Sequence, residues 1–566
     1  MPAERALFIT LFLCAVALRI IFIFHYRPDS DEPQHLHVAW GWANGLPQYS
    51  ETFDNHAPLF YLVNAPLVAL LGERADILIL MRMAMLPVYA LTVWAIGAIA
   101  KSMFGLRAGL WAAVILAFYP NFFRYSVEYR TDDMWVMFWA LGLAALLGGA
   151  FTARRGFAGG LMLGAAMSVS FKTTVMLLAL LIALGLLPVV SAEFRRGFTW
   201  RGFARNAAAV VAGLCIVPAA IMVMIKSMGL WDAFVYCAIT HNVIPDDGNL
   251  SFSSRFIYPF LYFPLFGWCA WRISSRPPTP GAGSRAACVF LVAGIYYALL
   301  HTFWPVVQDQ TRISIYPMSV LAAVMLPYLF RNVSFGESGT KVDDAAARPH
   351  RTMRFHLVIA TAEAALLVCL VPPWIDDMKP MTQFHDTVLK LTRPGELILD
   401  QKGETVFRKR AYYYVLERFT LKRLWKRLIP NTIAEDCVAN GACVSVNKKI
   451  SDILRDAYRF PRRTQLFLQD HFIDTGLLSV AGGYLDNVTT SDAASLPFDV
   501  VIPAWYAIVN PKGAARGRLD GAGYDGPRFL AAGRHEFITT TQQGRLAFVW
   551  APAIERGFSP FGAIRP

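Results

Sequence analysis

Arg27-Pro-Asp-Ser-Asp-Glu-Pro-Gln-His-Leu36 follows directly on a hydrophobic run from Ala6 to Phe24. The run is long enough to cross a bilayer as a single helix, and an ionised acid is costly in hydrocarbon. Asp29, Asp31 and Glu32 are therefore expected where membrane meets water, beside anything that a lipid tail holds at that surface. The run has no small-residue cleavage site before Arg27-Pro28 and reads as a retained helix rather than a signal peptide.

Outward from this stretch the apolar pattern repeats. Of 566 residues, 55% are hydrophobic and only 16% charged, and the apolar residues arrive in runs too long for ordinary core helices. Spans are expected at about 6–24, 77–99, 108–124, 133–151, 157–170, 173–190, 207–225, 255–271, 286–303, 313–330 and 355–373. The chain thus reads as a polytopic α-helical membrane protein with about 11 transmembrane helices over residues 1–373. Residues 58–71 are also apolar, but the segment is short and holds Pro58 and Pro66, so it is expected to lie at the interface within a large first outer loop, 25–76. Loop charge agrees. With the N-terminus in the cytoplasm, the cytoplasmic loops carry Arg154, Arg155, Arg195, Arg196, Arg201 and Arg205 among others, and the opposite loops hold fewer basic residues. The carboxylate cluster, Arg130-Thr-Asp-Asp133, Lys172, His241 and everything beyond residue 373 then share the outer compartment.

Residues 374–566 change character, with alternating strands, Gly-rich turns and many charges. An α/β layer is expected over 374–497 and a β-rich, sandwich-like part over 498–566. Cys437 and Cys443 flank Val-Ala-Asn-Gly-Ala, and Asn-Gly is a turn former that brings two such thiols together, so a disulfide is expected in an oxidising exterior. The six other cysteines lie in or beside apolar spans, where a small buried thiol needs no further role. Neither Gly-rich phosphate loops of the GxxxxGK type nor nucleic-acid-binding motifs occur, and the +13 net charge is in part the loop asymmetry.

Six motifs stand in order at the helix boundaries: Pro28-Asp-Ser-Asp-Glu-Pro33, Phe53-Asp-Asn-His-Ala-Pro-Leu-Phe-Tyr61, Met81-Arg-Met83, Tyr129-Arg-Thr-Asp-Asp133, Ser170-Phe-Lys-Thr173 and Thr311-Arg-Ile-Ser-Ile-Tyr-Pro317. Together they resemble the GT-C polyprenyl-phosphate-sugar glycosyltransferases, in particular protein O-mannosyltransferases, lipid A aminoarabinose transferases and lipopolysaccharide galacturonosyltransferases. The resemblance covers residues 1 to about 330. It implies a hexosyl-, pentosyl- or uronosyltransferase of the bacterial inner membrane with a periplasmic C-terminal domain. Its partners would be membrane lipids, a polyprenyl-phosphate-linked donor and a glycolipid, glycan or protein acceptor.

The residues support that chemistry independently. A sugar on a lipid phosphate already carries a leaving group, so transfer needs a base for the acceptor hydroxyl and cations for the departing phosphate. Asp31 or Glu32 is the candidate base, and attack opposite the phosphate would invert the anomeric centre; the resemblance points to Asp31. Asp31 ahead of Pro33 could instead cap a helix running through His37 and Trp40. Lys172 in an apolar segment needs an anion, and the planar fork of Arg312 suits two phosphate oxygens. The resemblance points to the same two cations. Asp132 and Asp133 suit a helix N-terminus by the dipole alone, and the resemblance gives the acid after Arg-Thr, Asp132, a role in the site. Arg130 could pair with the first acids or with phosphate. Arg19 and Arg82 lie within spans and need partners, for which a structural ion pair suffices.

Some positions depart from the family pattern. Ala57-Pro58-Leu59 replaces its Pro-Pro-Leu, and the extra Asp29 lets the base assignment slip by two positions. Related enzymes carry His or Lys near His56, and some carry His near His241; these two residues and Asp29 are candidates for substrate binding. With Asp54 the two histidines leave room for a divalent metal, although no metal or other cofactor is required and hydrogen bonding explains them more simply. A flippase or transporter with a glycan-binding outer domain is the competing reading. It should carry ionisable groups at mid-membrane and paired helix repeats, whereas here the charges gather at outer helix ends.

Overall fold

The computed structural model describes residues 2–244, 257–275, 281–303, 310–329, 348–485, 495–539 and 545–562. From the N-terminus run α1 (Pro2–His25), α2 (Asp31–Ala43), α3 (Leu59–Leu71), α4 (Ile77–Ala84), α5 (Leu86–Phe104), α6 (Leu106–Phe118), α7 (Pro120–Tyr125) and α8 (Thr131–Leu147). Then follow α9 (Ala153–Val169), α10 (Thr173–Val190), α11 (Ala192–Gly197), α12 (Trp200–Ser227), α13 (Trp231–Val235), α14 (Ile257–Ser275), α15 (Ala282–Phe303), α16 (Ile315–Leu329) and α17 (Arg348–Leu370). Each expected span lies largely on helix, but breaks fall at residues 85 and 119, residues 148–151, 170 and 371–373 lie past helix ends, and 255, 256 and 330 fall outside the described residues. Among the described helices, 7 are long and apolar enough to cross a membrane by length and composition. This is a multi-pass membrane protein. The short helix expected at 58–71 is α3, with Pro66 inside it.

Leu13, Val16, Trp94, Leu181, Val223 and Phe260 stay exposed on the bundle, as surfaces that meet lipid can. Helices without a hydrophobic drive between them need close backbone contact instead. Gly156, Gly160 and Gly164 recur along α9, and a β-carbon at Gly160 would lie 2.0 Å from the Val210 carbonyl oxygen of α12.

Beyond α17 come α18 (Lys379–Leu391), β1 (Ile398–Leu399), α19 (Arg418–Trp425), α20 (Ile433–Ala439), β2 (Val444–Val446), α21 (Ile450–Ile453) and α22 (Arg462–His471). The strands β3 (Phe472–Asp474), β4 (Leu478–Leu485), β5 (Ser495–Val500), β6 (Ala504–Asn510) and β7 (Gly513–Ala514) follow. Last are β8 (Gly517–Leu519), β9 (Ala522–Tyr524), β10 (Arg528–Leu530), β11 (Gly533–Thr539), β12 (Leu546–Trp550) and α23 (Ala551–Glu555). One sheet runs β1-β2-β4-β12-β6-β10, with β3 added on β4 and β7 on β6, and so joins strands from both halves of this region. A second runs β5-β11-β8-β9. They meet where Phe498 stacks on Phe548 with ring centroids 4.5 Å apart and where the Ile508 N–H donates to the Tyr524 hydroxyl at 2.7 Å.

This β-rich region is docked on the end of the bundle where α1 finishes and α8 begins. The Arg27 guanidinium donates to the carbonyls of Ser451, Asp452, Ile453 and Leu454 around the end of α21, at 2.9–3.1 Å. Ser30 N–H donates to the Arg455 carbonyl and Arg455 N–H to that of Pro28, each at 2.9 Å, so the acid-rich turn is held by the C-terminal region through its backbone.

The expected disulfide is absent: Cys437 and Cys443 are buried free thiols. Asn440-Gly441 does not turn a hairpin but ends α20. Gly441 has φ +63, its N–H donates to the Val438 carbonyl, and the Ala442 N–H reaches back to Cys437, which is the Schellman pattern of a helix C-terminus. The Cys437 thiol donates to the Ala442 carbonyl at 3.4 Å. Burial pushes both thiols up to about 12, so as free thiols they stay protonated.

Candidate active site

Between α1 and α2 the three neighbouring acids receive different tasks. Asp29 Oδ1 accepts from the Asp31 N–H at 3.0 Å, and Glu32 Oε1 accepts from the Asp29 N–H at 3.1 Å. The Glu32 contact is the returning half of a capping box, and Asp29 takes the N–H two residues on in place of the usual third, while Ser30 at the N-cap makes no side-chain cap bond. Capping therefore falls to Asp29 and Glu32, and Asp31, whose position also allowed it to cap, keeps its carboxylate for other partners.

Glu32 is enclosed. Its carboxylate takes two guanidinium N–H groups of Arg82 from α4, the Nε contact at 2.7 Å, and the Tyr129 N–H at 2.8 Å. Both side chains are fully buried, and Arg82 donates onward to the Tyr26 carbonyl at 2.7 Å. The partner needed by the arginine within a span is thus the acid after Asp31. Arg19 meets the same need differently, donating to the Phe123 carbonyl at 2.8 Å and the Ser126 hydroxyl at 2.9 Å.

Asp31 keeps 29% of its side chain exposed, with Arg130 Nη2 2.7 Å from Oδ2 and Lys402 Nζ donating to Oδ1. Burial pushes its carboxyl up, but Lys402, Arg130 and His35 outweigh that and hold it well below the usual carboxylate range. Asp31 is therefore an ionised acceptor with an open side. Asp29 beneath it is 1% exposed and lies between Arg130 Nη1 at 2.9 Å and Arg455 Nη2 at 3.3 Å. Glu128 completes the cluster against Arg455, and burial pushes its carboxyl up to about 7.

Arg130 also lies 3.6 Å from Asp132 in the first turn of α8, and Lys172, directly before α10, donates to Asp132 at 2.7 Å. A line of alternating charge results: Lys402, Asp31, Arg130, Asp132, Lys172. Lys172 sits 5.4 Å above the Trp135 ring with a side chain 20% exposed, so an anion can reach it. Asp133 is separate: its oxygens are buried and meet no hydrogen-bond donor among the described residues. Arg312 lies in the 3₁₀ turn Gln310–Ser314, which packs against α7 and α8.

His56 and His241 do not form one cluster. His56 Nδ1–H donates to Asp54 at 2.9 Å, Tyr61 donates to the other Asp54 oxygen at 2.9 Å, and His35 Nδ1 meets the Tyr61 hydroxyl at 2.8 Å. The ligand atoms of His35, Asp54 and His56 all lie within 4.8 Å of one another, and this group could hold a metal. Each of its members already has a hydrogen-bond partner in the protein. Burial works against the His56 imidazolium, but Asp54 overrides it and raises the ring above its ordinary value. His241 faces the C-terminal region, 3.1 Å from Thr420 Oγ1 and stacked on Tyr414 with centroids 5.8 Å apart.

Sequence reasoning missed Lys402, Arg455, Glu128 and His35. The first two come from beyond residue 373, and only the polar turn Asp400-Gln-Lys-Gly-Glu404 marks one of them.

A family model described as dolichyl-phosphate-mannose-protein mannosyltransferase matches residues 55–222. No curated protein matches the chain. Among solved structures, ArnT from Cupriavidus metallidurans in the apo state is similar at 13% identity and TM-score 0.55, covering 85% of this chain and 98% of that one. The same protein bound to undecaprenyl phosphate is similar at 12% identity and TM-score 0.50, covering 79% and 95%. The fold is ArnT-like, and the resemblance to the GT-C polyprenyl-phosphate-sugar glycosyltransferases is borne out.

Proposed function

From an ArnT-like fold and the match to a mannosyltransferase family, we propose that this glycosyltransferase moves a sugar from a polyprenyl-phosphate donor to an acceptor hydroxyl at the outer face of the membrane, with Asp31 as the base. The observation that carries this reading is the line of charge from Lys402 to Lys172, in which Asp31 alone among the three neighbouring acids combines ionisation with an open side. Glu32 and Asp29 are supporting acids, their oxygens taken up by capping and by arginines.

The step is a single displacement. The acceptor oxygen forms a bond to the anomeric carbon as its proton passes to the Asp31 carboxylate. The bond from that carbon to the phosphate oxygen breaks, and polyprenyl phosphate leaves with the electron pair. Lys172 and Arg312 would take the growing phosphate charge, with Asp132 orienting Lys172 until the donor arrives. His56, with a third of its side chain exposed, would line the approach of the sugar or acceptor, whereas His241 is fully buried against the C-terminal region and would act only through the wall it supports. The acceptor is a glycolipid, glycan or protein bearing a hydroxyl, and the site faces the periplasm of a bacterial inner membrane.

Purified protein incubated with a panel of polyprenyl-phosphate sugars and acceptor membranes is expected to release polyprenyl phosphate in step with glycosylated acceptor for one donor. The opposing result is translocation of a labelled lipid-linked sugar across liposomes without transfer, which would make the protein a flippase.

A further inference from the structure

Lys402 comes from a sequence position 371 residues away from Asp31, yet its side chain is 3% exposed and its ammonium donates to both Asp31 Oδ1 and the Ser30 hydroxyl, the latter at 3.1 Å. An ammonium so enclosed is costly unless an anion meets it, and here that anion is the candidate base. The loop that delivers it is tightly built. Glu404 Oε2 accepts the N–H groups of Gln401 and Lys402, each at 2.9 Å. Asp400 accepts from Gly403 N–H at 3.1 Å, the Thr405 hydroxyl at 2.8 Å and Arg410 Nε at 2.6 Å.

The same loop is pressed onto α2. Gly403 has φ +101, and a β-carbon there would lie 2.8 Å from Cβ of His37. Val406 is held at φ +57, a conformation unfavourable for a β-branched residue, and its carbonyl accepts from His37 Nδ1–H at 2.7 Å. Close approach at Gly403 and the strained backbone of Val406, both just after Lys402, thus hold the loop against α2.

We propose that Lys402 is a positioning residue of the transfer reaction: the C-terminal region completes the catalytic centre by clamping one oxygen of Asp31 while Arg130 holds the other. The inference rests on the reading of Asp31 as the base. Two cations on opposite oxygens fix the carboxylate plane, and each oxygen retains a lone pair for the acceptor proton. The C-terminal region is then part of the active centre, not a separate binding module.

The groups facing Asp31 are Asp29 and His35 from its own segment, Arg130 from the turn before α8, Lys402 from the C-terminal loop, and Tyr458, over whose ring Lys402 lies at 5.5 Å. Asp29 opposes the charge on Asp31 and the cations favour it, whereas Tyr458 is a neutral phenol where a carboxylate titrates. Removing Lys402 raises the pH at which Asp31 takes a proton, so a base active down to low pH in the wild type is lost at higher pH. A cation within a few ångströms lowers an aspartate by about 1–3 pH units, and the acid limb of kcat/KM in Lys402→Met is expected to move up by about that much. KM for the donor should not change, since Lys402 would not touch phosphate. Lys402→Arg should restore most of the wild-type profile. Gly403→Ala, which keeps the charge but drives the loop off His37, should shift the limb in the same direction.

An unshifted profile in Lys402→Met, or in Gly403→Ala should Lys402→Met not fold, overturns the proposal. So does a rise in donor KM with the profile unchanged, which would make Lys402 a phosphate contact. Asp31→Asn, measured alongside, separates the two ideas. Full activity there removes the base itself, whereas an inactive Asp31→Asn beside an unshifted Lys402→Met removes only the clamp.

Discussion

Asp31→Asn is expected to lower kcat by about 100- to 10,000-fold with the protein still folded and still binding donor, as loss of a positioned general base does. The amide keeps the shape of the side chain, and its one oxygen can still accept from Lys402 or from Arg130, but its NH2 meets the other cation and it cannot take a proton from the acceptor. The partly exposed side chain and its place outside the capping box make folding tolerant of the change. Turnover measured against donor binding checks the expectation. A variant that binds donor and turns over at the wild-type rate would exclude Asp31 from proton transfer.

Its neighbour should behave in the opposite way. Glu32→Gln and Arg82→Met each strip one partner from a fully buried ion pair, at an expected cost of about 3–5 kcal/mol in stability. The Tyr129 N–H and the turn into α2 depend on the same carboxylate, so loss of Glu32 loosens the base of the site as well as the bundle. Pairing the two substitutions should cost less than the sum of the singles, because the double variant leaves no buried charge uncompensated. Thermal unfolding in detergent of the two singles and the double measures this coupling. Strict additivity, or a Glu32→Gln protein as stable as the wild type but inactive, would return Glu32 to the list of bases.

The contrast between adjacent acids explains what could be read from the chain. Spans were legible because hydrocarbon demands long apolar runs, and the position of Asp29, Asp31 and Glu32 just past the first run marked them as a site. Their division of labour was only half legible. The spacing Asp29-Ser-Asp-Glu32 carries a capping-box signature that assigns Asp29 and Glu32 to the helix end, and Arg82 within a span announces its need for a buried anion. Pairing across hundreds of residues leaves no such local trace. Arg455 reaches Asp29 and Glu128 from sequence separations of 426 and 327, and nothing around it in the chain distinguishes it from a surface arginine.

Cys437 and Cys443 illustrate a different limit. Asn-Gly satisfies a hairpin turn and a helix C-terminus equally well, because both need a residue in the left-handed region. The choice was decided by Ile433–Ala439 winding as a helix, seven residues of mixed character whose helical period is too short to recognise. His56 and His241 are parted for a related reason: Asn55 and Asn242 do meet, at 3.0 Å, yet the two imidazoles turn to different partners.

A single displacement from the Asp31 side has one stereochemical outcome. With a donor of known anomeric configuration, the configuration at the anomeric carbon of the purified product, read from its NMR coupling constants, tests the account most directly. Inversion is predicted. Retention, with a glycosyl-enzyme trapped on a carboxylate, would contradict it and turn the proposed base into a nucleophile.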